Sequence, residues 1–169
     1  MSREDLYIAT VLGSCVAVAV YAPVKRIGGL NHYLLPGGSY RNDPGENSSR
    51  YGLQAMELLI GALVDAGVSR HELRAKVFGG GNVLTSRSMV GTANVEFALS
   101  YLADHGIPVT DRDVEGEVAR KLFMQPATGR VYVKHLEQSL LEHNAIQEER
   151  DLQKIRKKDV YGDFILFEN

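Results

Sequence analysis

The apolar positions of this chain fall into short runs of two kinds, strand-like segments and amphipathic helical ones, separated by glycine-rich or polar breaks. The most apolar run is Cys15-Val-Ala-Val-Ala-Val20-Tyr21, β-branched at every second position. It suits a strand covered on both faces, although periodicity alone also allows a buried helical turn. Residues 7–11 read as a strand before it, interrupted by Gly13 and Ser14, and residues 27–35 as a glycine-containing strand after it. A turn over 23–26, opened by Pro23, joins the last two as a hairpin.

Residues 36–49 are polar and rich in glycine, asparagine and proline, and a connection of that length is usually functional or mobile. A helix follows, with Ser48 or Ser49 as its cap. Met56, Leu59, Ile60 and Leu63 form its apolar face and Gly67 its stop. Residues 74–78 read as a strand running into Gly79-Gly80-Gly81-Asn82, and residues 93–105 as a second helix stopped by Gly106. Residues 107–110, 118–124 and 130–134 read as strands of a meander, the last two joined by the turn Pro126-Ala-Thr-Gly129. Residues 136–158 read as a charged helix with Leu140, Leu141, Leu152 and Ile155 on an interrupted stripe. Phe164-Ile-Leu-Phe167 reads as an edge strand or a docking tail. The order lacks the regular β-α-β alternation of a doubly wound fold. It predicts a mixed α/β (α+β) domain, with mixed or antiparallel sheets flanked by helices.

Composition narrows the function classes. With 169 residues, 44% hydrophobic, the chain has enough apolar surface for one well-buried core and is short for two. A net charge of -2 gives no general attraction to nucleic acid or anionic lipid. The one basic run, residues 154–158, follows Glu148-Glu149 and reads as a solvated helix face, so nucleic-acid binding is not expected. A single cysteine precludes an intramolecular disulfide. With no secretory leader pattern, the expectation is the cytoplasm. No apolar stretch approaches the roughly 20 residues that span a bilayer, so membrane insertion is not expected.

Cys15 follows Leu12-Gly13-Ser14, where small residues let the backbone turn just before a strand. Such a turn can leave a thiol at a strand end, with backbone N–H groups nearby to bind an oxyanion. A lone cysteine is also among the residue types most often buried as inert core. His32 lies in Gly28-Gly29-Leu30-Asn31-His32 on the returning arm of the hairpin, near the same end as Cys15. Whether the two side chains share a face depends on register. A cysteine and a histidine within hydrogen-bond reach are the minimum for an activated thiolate. The alternative is a histidine that caps a strand end. His71, His105, His135 and His143 read as surface charges or helix-terminus complements. No spacing among histidines, cysteine and carboxylates suits a metal site. Gly79-Gly80-Gly81-Asn82 lacks the lysine and spacing of a phosphate loop and reads as a tight loop lining a cleft.

Taken together, the motifs resemble the CheD family, the chemoreceptor glutamine deamidases. They are Thr10-Val-Leu-Gly-Ser-Cys15-Val-Ala-Val, Gly28-Gly-Leu-Asn-His32-Tyr-Leu-Leu-Pro36, Arg50-Tyr-Gly, Ala75-Lys-Val-Phe-Gly-Gly80, Val90-Gly-Thr-Ala-Asn94 and Thr128-Gly-Arg-Val-Tyr-Val-Lys134. The resemblance covers about residues 7–135, with Glu115-Gly116 departing from the family's paired glycines and Arg120 matching its arginine. It implies a CheD-like deamidase domain over 1–135, with 136–169 as a C-terminal helix and tail packed on or extending from it. It implies Cys15 as nucleophile, His32 as base and Thr10 as third catalytic member, with no cofactor and no metal. The implied substrate is a glutamine side chain on a chemoreceptor's cytoplasmic helices, hydrolysed to glutamate with release of ammonia. A CheC-type phosphatase is the implied partner, and the alternative role is an adaptor that binds that phosphatase or the receptor with little turnover.

Overall fold

In the computed structural model, which describes residues 6–35, 47–83, 90–136 and 164–167, the strand β2 (Val16–Ala22) is buried almost throughout. It is the middle strand of five, and both its faces are covered, which is why its sequence does not alternate polar with apolar. Its neighbours, β3 (Ile27–Tyr33) and β4 (Arg74–Gly79), are antiparallel to it. Beyond them lie β5 (Val109–Val114), parallel to β4, and β8 (Phe164–Phe167), antiparallel to β3, giving the order β5-β4-β2-β3-β8. A second, antiparallel sheet has the order β1-β6-β7, from β1 (Ile8–Leu12), β6 (Ala119–Gln125) and β7 (Arg130–Leu136).

The two faces of β2 look onto two cores. Val16, Val18 and Val20 pack against α1 (Asn47–Asp65) and α2 (Val90–Asp104), meeting Met56, Leu59, Ile60, Leu63, Ala98 and Leu102. Cys15, Ala17 and Ala19 turn to the small sheet and meet Ile8, Leu12, Leu122 and Met124. Valines thus line the side that faces the helices and alanines the side that faces the small sheet. Each fully buried leucine or isoleucine of α1 contributes roughly 1.5–3 kcal/mol. Packing of this face therefore holds the helix more than its intrinsic propensity does. The mixed α/β architecture expected from the element order is the one observed, in three layers of small sheet, large sheet and helices.

Several boundaries differ from expectation. Helix α1 already includes Asn47, so Ser48 and Ser49 belong to its first turn and not to its cap. Gly67, at φ 88°, ends the helix as expected, with Val68 N–H bonded to the Leu63 carbonyl. Helix α2 begins at Val90, earlier than position 93. β5 is not part of a meander: after α2 the chain returns in the direction of β4 and pairs with it in parallel, a β-α-β unit the strand pattern did not disclose. Leu136, expected as the first residue of a helix, ends β7. Phe164–Phe167 is the edge strand β8. Residues 137–158 of the expected helix and residues 36–46 of the polar connection lie outside the described residues.

Candidate active site

The backbone leaves the small sheet after Leu12 and enters the large one at Val16, so Gly13, Ser14 and Cys15 form the passage between them. Three consecutive carbonyls of this passage are held. Gly81 N–H donates to the Gly13 carbonyl at 2.7 Å and Gly80 N–H to the Cys15 carbonyl at 2.7 Å. Asn94 Nδ2 donates to the Ser14 carbonyl at 3.0 Å. The close approach explains the glycines: a Cβ on Gly79 would sit 2.2 Å from the Cys15 carbonyl oxygen, at a φ of 100° that disfavours any side chain. The loop expected to line a cleft is thus the backing of the cysteine.

Register answers the question the sequence left open. Ala17 pairs with His32 and Val16 with Tyr33. Cross-strand partners share a face, and so do residues two apart on a strand, so Cys15, Ala17 and His32 project to the same side, between the sheets. Cys15 and His32 stand diagonally at this end of the hairpin, the cysteine two residues before the partner of the histidine. Thr10 reaches this place from the opposite sheet. Ile8 and Leu12, two residues to either side of it, are buried in the inter-sheet core, so Thr10 faces inward while Ala9 faces solvent. Its Oγ1 lies 2.9 Å from His32 Nδ1. Cys15 is only 3% exposed, whereas Thr10 and His32 are half-buried. The structure thus brings Thr10 and His32 into contact and sets Cys15 on the same inter-sheet face.

Asn94 was legible only as a member of a motif. It is fully buried in α2, and its amide bonds two segments at once: Nδ2 to Ser14, and Oδ1 accepting the Leu35 N–H at 2.8 Å. Tyr33, whose phenol burial pushes far above its ordinary pKa and so keeps protonated, donates to the Asn94 carbonyl at 3.0 Å. The available signal was an asparagine at helical spacing from the apolar Ala98, Tyr101 and Leu102, on the face that Glu96 avoids.

Arg120 is the second position that sequence reasoning left without a role. It is 3% exposed; Nη2 and Nη1 donate to the carbonyls of Glu115 and Val118, and Nε pairs with Asp113 Oδ1 at 2.9 Å. The turn it holds bonds in turn to the glycine loop, through Glu115 N–H to Gly79 and Asn82 N–H to Gly116. Asp113 also meets His135 Nε2 at 2.8 Å. Burial alone would raise the Asp113 pKa, but the hydrogen bonds from His135 and Arg120 outweigh it and hold the carboxyl below its ordinary 3.8.

A depressed carboxylate stabilises the fold above the unfolded pKa and loses that contribution as pH falls through the folded value. Asp113→Asn is therefore expected to destabilise the protein to denaturant at pH 7, with the gap to the unaltered protein narrowing below about pH 4. A gap that is constant from pH 7 to pH 3 would show that the charge of Asp113 contributes nothing.

Among the described residues no helix is long and apolar enough to cross a membrane. The family model described as CheD chemotactic sensory transduction matches residues 34–135, beginning just past His32. A relative in Methylobacillus flagellatus, named a probable chemoreceptor glutamine deamidase CheD, is 40% identical over 172 residues, covering 98% of this chain and 84% of its own. A protein of the same name in Rhizobium etli is 44% identical over 77% of this chain and 71% of its own. Another, CheD 2 of Chromobacterium violaceum, is 44% identical over 82% of this chain and 70% of its own.

Proposed function

Because the chain belongs to the CheD family, we propose that it is a chemoreceptor glutamine deamidase in which Cys15, His32 and Thr10 carry the chemistry. The observation that carries the reading is the Thr10–His32 hydrogen bond across the two sheets, made on the face where Cys15 packs. With Nδ1 engaged by Thr10, proton exchange with the thiol is assigned to Nε2 of His32. In that role the ring carries its proton on Nδ1 and donates it to Thr10 Oγ1, which fixes tautomer and ring orientation.

The Cys15 thiolate attacks the carboxamide carbon of a receptor glutamine, and the carbonyl oxygen takes the negative charge. His32, now protonated, gives its proton to the departing nitrogen. The C–N bond breaks, ammonia leaves, and a thioester remains. Water, losing a proton to His32, attacks the thioester; the C–S bond breaks, glutamate is released and the thiol is restored. Every proton is handled by side chains of this chain, so the reaction calls for no cofactor.

The substrate lies on the cytoplasmic helices of a methyl-accepting receptor, which places the enzyme in the cytoplasm. A CheC-type phosphatase is the further partner in this reading. The direct test incubates the protein with a receptor cytoplasmic fragment, measures ammonia, and locates new glutamates by peptide mass spectrometry. Stoichiometric ammonia and a few discrete conversion sites are expected. A fragment recovered with all its glutamines intact would overturn the assignment.

A further inference from the structure

The side-chain hydrogen bonds of Asn94 run to neither Cys15 Sγ nor the imidazole, yet its one amide ties together the two segments that flank them. Nδ2 holds the carbonyl of Ser14, the residue before the cysteine, and Oδ1 holds the N–H of Leu35, three residues beyond His32. A trans peptide has its C=O and N–H on opposite sides. The backbone contains no cis bond among the described residues, so fixing the Ser14 carbonyl also fixes the direction of the Cys15 N–H, away from α2.

The geometry points to Asn94 as a positioning residue for the oxyanion. By holding the Ser14–Cys15 peptide plane from within the helix layer, it aims the Cys15 N–H at the place where the carbonyl oxygen of the substrate becomes negative, and by the same amide it keeps that plane in register with the strand that carries His32. This rests on the reading of Cys15 as the nucleophile. Three features support a dedicated role. The side chain is fully buried with both polar atoms satisfied, an arrangement that costs free energy unless both bonds are made. Gly91 packs so closely on Gly80 that a Cβ there would stand 2.4 Å from the Gly80 carbonyl oxygen, and this seats α2 against the glycine loop so that Asn94 reaches Ser14. The neighbouring carbonyls of Gly13 and Cys15 are held independently by Gly81 and Gly80, so losing Asn94 frees one peptide plane and leaves the rest of the passage anchored.

The test compares Asn94→Ala with the unaltered protein on a receptor fragment, and follows Cys15 alkylation by iodoacetamide in parallel. Alkylation needs the thiolate but develops no oxyanion. The expected result is a kcat lower by about 10²-fold or more, as for loss of one oxyanion donor. KM and the alkylation rate should stay within about threefold of the unaltered values, a margin of about 0.65 kcal/mol. Asn94→Asp, which keeps the shape and the acceptor for Leu35, is the second variant and is expected to show the same split. An unchanged kcat overturns the inference. So does a parallel fall of kcat, alkylation and melting temperature, or failure of both variants to fold, since either assigns Asn94 to the fold alone. Cys15→Ala serves as the control: ammonia release in that variant would sink the nucleophile reading itself, whereas an inactive Cys15→Ala beside a fully active Asn94→Ala sinks only the positioning role.

Discussion

Cys15→Ala is expected to reduce ammonia release from a receptor fragment to background, a loss of at least about 10⁴-fold, because removing a covalent nucleophile removes the acyl-enzyme route entirely. The same change should leave the fold in place. Cys15 packs among Ala17, Leu30, Leu12 and Phe78, and deleting one sulfur from this layer costs about 1 kcal/mol, within the range of ordinary substitutions. Activity lost with melting temperature nearly unchanged is therefore the signature of a chemical role. An alanine variant that still releases ammonia would leave Cys15 as packed core, the role its 3% exposure alone would suggest.

His32→Ala is expected to slow deamidation by about 10²–10⁴-fold and to slow alkylation of Cys15 at neutral pH, since the imidazole both takes the thiol proton and returns it to the leaving nitrogen. The two readouts separate its duties. Alkylation reports only thiolate formation, while ammonia release also needs proton delivery. The ring lies half-buried between the sheets, with Nδ1 on Thr10. Alkylation at the unaltered rate would mean that the ring and the sulfur do not communicate, and the base would have to be sought elsewhere.

Much of the site was written in local sequence. Gly13-Ser14 before an apolar run announced a turn and a strand, and the double-sided apolarity of 16–20 announced burial on both faces. Gly67 marked a helix end because few other residues adopt the conformation it takes there. These signals need only neighbouring residues. β5 shows where such signals stop: its sequence Val-Thr-Asp-Arg-Asp-Val carries polar residues at the middle of an edge strand, and its parallel pairing is set by the direction in which α2 returns the chain. Arg120 and Asp113 are likewise ordinary charged residues in sequence. They become a part-buried pair only because β6 and β5, from different sheets, bring them together.

The sequence alone determined which side chains exist to do chemistry, where the chain turns and which segments must be buried, since dihedral preference and hydrophobic period act over a few residues. The tertiary structure decided that Ala17 stands opposite His32, that Thr10 and not Ala9 faces inward, and that Asn94 reaches Ser14 from a helix 80 positions away. Those are consequences of register and of layer-on-layer packing. They depend on the sum of many weak contacts across the whole molecule, so no short window of residues contains them.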